Sequence, residues 1–309
     1  MRRKLENKVA VVTGGSTGIG FGIAQELAAA TALVRSRGCL TIGFADAGAE
    51  WEFAPPSDDP SVRQELVETL YHVLWELVHV FFEHRGLLEG REARKVHDAG
   101  ASSFLYPFLG EQEHDLEAVV VDVRRSVLAK AADIGALREQ TLTENAAPLA
   151  VAARDVRASL DGGGTLLALG NGGSATDAMD AVADFRAAPQ GWPGRSALDL
   201  TEDAAILTAL ANDVGPEVLF QRQIIAYGRP GDVVLSFSTS GGSANVVLAL
   251  EEARRRGLVT IALVGYDGGR IAAERLADHV IVTRSQHIPR IQEAQASAFH
   301  VLRELVEAP

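Results

Sequence analysis

The sequence of 309 residues contains one cysteine, Cys39, two methionines and three tryptophans, and its aromatic share is only 6%. With a single thiol no intramolecular disulfide can form, which fits a reducing cytoplasm, the expected location. No uncharged apolar run nears the ~18 residues that would span a membrane, so no membrane partner is expected. The basic start MRRKLENK leads into an apolar segment that a glycine turn interrupts, which argues against a signal peptide. Cations are also in deficit: 29 Lys and Arg against 41 Asp and Glu give a net charge of −12. That argues against nucleic acid as a bulk electrostatic partner and leaves anionic ligands to local donors rather than to the overall field. The composition, 47% hydrophobic with 23% charged, describes a soluble globular chain long enough for two domains of ordinary size.

Helical and short β-rich runs alternate through most of the chain, the pattern of a parallel sheet covered by helices. Strands are expected near 165–169, 195–199, 232–237, 259–264 and 279–283, with a long amphipathic helix closing the chain near 290–307. That helix has a twin. QELVETLYHVLWELV (64–78) aligns without gaps on QEAQASAFHVLRELV (292–306), with eight of fifteen positions identical. Upstream, RSRGCLTI (35–42) matches RRRGLVTI (254–261), and the spacing between the matched segments is nine residues shorter in the first copy. Amphipathic helices resemble one another by chance, but the shared Gln and His and the second matched segment make duplication the better reading. Residues 1–86 then form a truncated α/β half-copy, and 87–115 a linker expected to dock through Phe104, Tyr106 and Phe108. Residues 116–309 form one complete domain. The apolar helix face of Val73, Leu74, Leu77, Val78, Phe81 and Phe82 is expected to be covered by that domain or by a second subunit.

Near the start, KLENKVAVVTGGSTGIGFGIAQEL combines a strand, a glycine turn and a helix. It resembles the opening of a short-chain dehydrogenase/reductase over about 25 residues, and nothing after it does. Such an enzyme needs a tyrosine with a lysine four residues on, to lower the phenol pKa. The tyrosines are Tyr71, Tyr106, Tyr227 and Tyr266, and four residues beyond them lie Trp75, Gly110, Gly231 and Arg270. No nicotinamide cofactor is therefore expected. The stretch is left either as a phosphate cradle or as the duplicated counterpart of a later glycine–serine loop.

Two glycine–hydroxyl loops stand out in the complete domain. LLALGNGGSATDAMDAVADF (166–185) is a strand, a turn of Asn171, Gly172, Gly173 and Ser174, then a helix. VVLSFSTSGGSANVV (233–247) places Ser238, Thr239, Ser240 and Ser243 around Gly241 and Gly242. Hydroxyls and free backbone N–H groups at a helix start favour a phosphate without a nearby lysine, which suits an acidic protein. Neither loop is a Walker motif, because no lysine follows the glycines. The plainer account is that Ser and Gly here only cap helices and form turns; two such loops at strand ends weigh against it.

GNGGSATDA, LANDVG, FSTSGGSANV, GYDGG and RIQE followed by FHVL resemble, in that order, the sugar isomerase (SIS) domains. They are most similar to the phosphoheptose isomerases, which convert sedoheptulose 7-phosphate to a heptose 7-phosphate. The resemblance spans roughly 116–309. It implies a three-layer α/β sandwich with a five-stranded parallel sheet, and homo-oligomers, dimeric or tetrameric, with active sites at subunit contacts. It also implies a phosphorylated sugar held by Ser238, Thr239, Ser240 and Ser243. Asn171, Gly172, Ser174 and Asp213 would touch the sugar or order the loops. Aldose–ketose isomerisation passes through an enediol and needs an acid, a base and oxyanion stabilisation. In the family a glutamate and a histidine serve, and some members bind zinc. The catalytic pair falls on Asp184 and His300, and the metal set on Asp180, Asp184, Gln292 and His300, for zinc or another divalent ion.

Two of those positions depart from the family, which has Glu where Asp184 stands and His where Asp180 stands. The family's Asp before Arg-Ile-Gln is Pro289 here. Asp184 is one methylene shorter than Glu, and a shift of ~1 Å can cost ~10²-fold in rate when uncompensated. Asp177, Asp180 and Asp184 share one helix face by their i, i+3, i+7 spacing. They supply either part of an oxygen-rich metal site or merely a complement to the helix N-terminus. His300 is read as the acid/base or as a packed core histidine, and His72 with Gln64 as a structural relic. The leading expectation is a phosphosugar isomerase. The alternative is a non-catalytic SIS domain that binds a phosphosugar or nucleotide-sugar as a regulator or scaffold.

Overall fold

The computed structural model describes residues 9–12, 30–44, 48–83, 116–188 and 190–308. The glycine turn at 13–20, the expected linker with Phe104, Tyr106 and Phe108, and the side chains of Val78, Phe81 and Phe82 lie outside the described residues. The chain divides into two compact units, one of Met1–Val67 with Ala187–Gly194 and one of Glu68–Arg186 with Arg195–Pro309.

The first unit holds a small parallel sheet of β1 (Val9–Val12), β2 (Leu40–Gly43) and β3 (Trp51–Glu52), in that order. Its registers pair Val9 with Leu40 and Ile42 with Trp51. Helix α1 (Pro60–Glu83) starts in this unit. Asp59 Oδ1 accepts from the backbone N–H groups of Ser61 and Val62 at 2.9 and 3.1 Å. Pro60 follows that cap, where its missing donor has no partner to lose.

The second unit continues α1 from Glu68 and adds α2 (Leu116–Glu144) and α3 (Ala146–Asp161). Strands and helices then alternate: β4 (Leu166–Gly170), α4 (Gly173–Arg186), β5 (Ala197–Asp199), α5 (Ala204–Asp213) and α6 (Leu219–Tyr227). β6 (Val233–Ser238), α7 (Ala244–Arg255), β7 (Val259–Gly265), α8 (Gly269–Ala273), β8 (His279–Thr283) and α9 (Ile288–Glu307) complete it. The five strands are parallel in the order β5-β4-β6-β7-β8. Strands buried on both faces read as continuous apolar runs, which is why LLALG, VVLSFS and VTIALVG were legible.

Alternate strand residues feed two cores. Leu166, Ala168, Leu235 and Phe237 face α3, α4 and α9, where Phe299 sits between Phe185 and Phe237 with ring centroids 6.2 and 6.3 Å away. Leu167, Leu169, Val234 and Ala262 face α6 and α7 through Ile224, Val246 and Leu250. The sheet is thus the middle of three layers. The edge strand β8 is covered by Asn145, between α2 and α3. Its amide donates to Val282 O at 2.9 Å and accepts from Val282 N at 3.0 Å, satisfying backbone that a neighbouring chain could otherwise pair with. Pro289, the departure noted above, lies in the first turn of α9, where a missing N–H costs nothing. Among the described residues no helix is long and apolar enough to cross a membrane.

Candidate active site

The two glycine–hydroxyl loops leave neighbouring strands and meet. Asn171 of the first loop and Asn245 of α7 exchange two amide hydrogen bonds, both at 2.9 Å. Asn171 and Gly172 are exposed and Ser174 is buried. In the second loop Ser238 is buried and its hydroxyl accepts from Gly241 N at 3.1 Å, so this serine shapes the loop from inside. Ser240 is exposed, and Thr239 and Ser243 are half-buried. Ser243 is the N-cap residue of α7, yet its hydroxyl makes no capping hydrogen bond. The capping account therefore does not use that hydroxyl.

The GYDGG turn (265–269) braces this loop. Gly241 lies at φ +60, and a Cβ there would stand 2.2 Å from Gly268 O; its own carbonyl accepts from Ile271 N at 2.9 Å. A Cβ on Gly265 would stand 2.4 Å from Thr239 O and 2.6 Å from the Ile291 side chain. The first turn of α9 thus packs under the second loop. The next residue, Gln292, reaches the first loop, where a Cβ on Gly173 would lie 2.0 Å from its Nε2. Only a glycine leaves room for that amide, which hydrogen-bonds the Asp177 carboxylate on α4.

α4 and α9 line a seam leading away from the loops. Asp184 and His300, both buried, lie within electrostatic reach of each other across it. Burial raises the Asp184 pKa, and His300 and then Arg303 oppose that rise. Arg303 is fully buried, with its guanidinium 4.5 Å from the centre of the Phe185 ring and a hydrogen bond to Glu307. Nearer the loops, burial first and Asp180 second push Asp177 up to about 8, against the Gln292 hydrogen bond. Its Oδ2 is buried without a hydrogen-bond partner among the described residues.

Sequence reasoning missed two of these groups. Arg303 was hidden as a charge on an apolar helix, although its place one turn beyond His300 signalled a residue on the same side. Glu68, on α1, faces Asp177, Glu293 and Asp180, with Arg138 of α2 as the opposing charge. Burial and then those acids raise its pKa well above the ordinary carboxylate range. His72, one turn on, places Nδ1 2.8 Å from Glu293 Oε1.

Of the expected metal set of Asp180, Asp184, Gln292 and His300, no three His, Cys, Asp or Glu side chains come together to hold an ion among the described residues of this one chain. Gln292 is turned to Asp177, Asp184 sits beside the Arg303 cation, and Asp180 is exposed. Asp213 stays exposed at the C-terminal end of α5, accepting from Asn212 at 2.8 Å. Among the described residues no hydrogen bond ties it to either loop.

A three-layer sheet with paired hydroxyl loops at its strand ends defines the class, and the SIS domain family matches residues 131–265. The phosphoheptose isomerase of Nitratidesulfovibrio vulgaris is 38% identical over 187 residues, covering 60% of this chain and 89% of that protein. That of a Roseiflexus species is 44% identical over 172 residues, covering 53% and 83%. The solved phosphoheptose isomerase of Neisseria gonorrhoeae is 35% identical with a TM-score of 0.56, covering 60% of this chain and 99% of that one. The chain belongs to the phosphoheptose isomerase family of SIS-domain proteins. A likeness of fold alone, at 10% identity and a TM-score of 0.53, spans 99% of the chain against the C-terminal domain of glucosamine-fructose-6-phosphate aminotransferase from Francisella tularensis.

Proposed function

We propose that this chain is a phosphosugar aldose–ketose isomerase acting on sedoheptulose 7-phosphate or a close relative through an enediol. The observation that carries the reading is the burial of Asp184 and His300 together on the α4–α9 seam. Buried in this way, a carboxylate and an imidazole can exchange a proton with adjacent carbons while water is held off. Asp184 takes the proton from one carbon and returns one to the adjacent carbon, while His300 moves a proton between the two neighbouring oxygens as carbonyl and hydroxyl change places. Arg303 supports the charge of Asp184. The phosphate is held by Thr239, Ser240 and Ser243 with the N-terminal backbone of α7, while Asn171, Gly172 and Ser174 order the first loop.

The distances along α9 suit a long substrate. His300 follows Gln292 by eight residues, ~12 Å of helix at the usual rise. A sugar whose phosphate sits at the opposite end from its reacting carbons spans such a gap. A phosphorylated sugar as substrate, a cytoplasmic setting and a homo-oligomer belong to this reading. The second reading, a non-catalytic phosphosugar binder, draws on the replacement of two family side chains by Asp180 and Asp184. Turnover separates the two. His300→Ala should lower kcat for sedoheptulose 7-phosphate by at least ~10²-fold, the scale of general acid–base catalysis, with phosphosugar binding retained. Binding without turnover by the unaltered chain would leave the second reading standing.

A further inference from the structure

We infer that α1, from Glu68 onward, takes within its own chain the place that a second copy of α9 would take against α9. The sequence match between the two helices is the first support, and strand register is the second. β1 pairs with β2 from Val9 and Leu40, as β6 pairs with β7 from Val233 and Val259. Ile42 faces Trp51 as Ile261 faces His279, so the orders β1-β2-β3 and β6-β7-β8 correspond strand for strand. The segment that ends in α1 thus has the pairing pattern of the segment that ends in α9.

The contact itself is of the kind that two copies of one helix make. Two identical surfaces related by a two-fold meet through residue i against j and j against i. Each of these helices carries a Glu and a His seven residues apart, Glu65 with His72 and Glu293 with His300. Such spacing puts both on one face, two turns apart. The structure sets His72 of one copy against Glu293 of the other at 2.8 Å. Further along α1, Glu76 lies 3.5 Å from Arg290, so the two helices run antiparallel, as a two-fold across their axes requires. Lys130 of α2 also bonds Glu76, and Arg138 donates to Thr69 at 3.1 Å, which fixes the α1 stripe toward α9. Glu293 is fully buried between His72 and Arg290, 2.6 Å away, so removing α1 would strand part of a buried charge.

The stand-in differs from the original in one consequential place. Glu68 aligns with Ala296, so α1 brings a carboxyl to Asp177 and Asp180 where another α9 would bring a methyl group. The face of α9 that would serve self-association is covered, and the wall of the seam gains an acid. Cross-linking decides this without reference to catalysis. In a Cys39→Ser background, the double variant His72→Cys, Glu293→Cys treated with a short bifunctional thiol reagent should give an internally linked single chain. Mixed chains carrying one cysteine each should give no covalent dimer. The pair Glu76→Cys, Arg290→Cys repeats the experiment at a second contact, should the first variant fold poorly. Covalent dimers from mixed chains, or no internal link in either double variant, would overturn the inference. Light scattering gives an independent reading: His72→Ala with Glu76→Ala should raise the mean mass by freeing the α9 face, and an unchanged mass would overturn it as well.

Discussion

Asp184, one methylene shorter than a glutamate, lies on the packed α4–α9 seam. It is buried beside His300 and Arg303, next to the Phe185 ring that Arg303 covers. An added methylene there must displace packed neighbours, so Asp184→Glu should lower kcat rather than restore it. A gain in rate would show instead a centre detuned by the missing methylene. Asp177 makes a different prediction, about stability. Its folded pKa of about 8 lies above the unfolded value, so the folded chain retains a proton that the unfolded chain releases. Stability therefore falls as pH rises from about 4, the ordinary aspartate range, to 8. Asp177→Asn should be more stable than the parent by a margin that is small near pH 4 and grows up to pH 8, read as a melting-temperature difference. A margin independent of pH would contradict the buried, protonated Asp177. Residues such as Glu68 were not legible, because over a hundred positions separate it from Asp177 in sequence, and only the packing of α1 joins them.

At the scale of elements, the loops and the helices that follow them were legible for a physical reason. A strand buried on both faces, a glycine turn and a capped helix each leave a local mark, and here they succeed one another without interruption. Boundaries moved only slightly: the second strand begins at Ala197 rather than near 195, and α9 begins at Ile288. Asp213 stays exposed at the end of α5, and its motif gave no local mark of which partner it meets. Two substitutions test the loops as elements. Ser240→Ala with Ser243→Ala should weaken phosphosugar binding at least tenfold, as two hydrogen bonds to a charged group are worth ~1.5–3 kcal/mol each. Unchanged affinity by calorimetry would remove the loop from the phosphate site. Gly173→Ala would set a methyl 2.0 Å from Gln292 Nε2. The resulting displacement of about 1 Å should cost on the order of 10²-fold in kcat, and full activity would show that the Gln292 contact is dispensable.

For the whole molecule, the proposed function reconciles a net charge of −12 with an anionic substrate through local donors: hydroxyls and backbone N–H groups at the start of α7. The relatives account for about 60% of the chain, and the remainder holds β1–β3 and α1, whose strand order and helix sequence match those of the closing segment. Their sequence signal was a matched helix and a matched strand; the contact of α1 with α9 became visible only through side-chain pairs such as His72 with Glu293. The central claim is that the seam moves a proton between adjacent carbons of a phosphosugar. Incubating the full chain with sedoheptulose 7-phosphate in deuterium oxide, and following the sugar by NMR, measures this directly. The account predicts formation of the aldose isomer with solvent deuterium entering at the carbon beside the carbonyl, and loss of both signals in His300→Ala. A sugar phosphate that binds, yet neither isomerises nor exchanges its carbon-bound hydrogen, would contradict it.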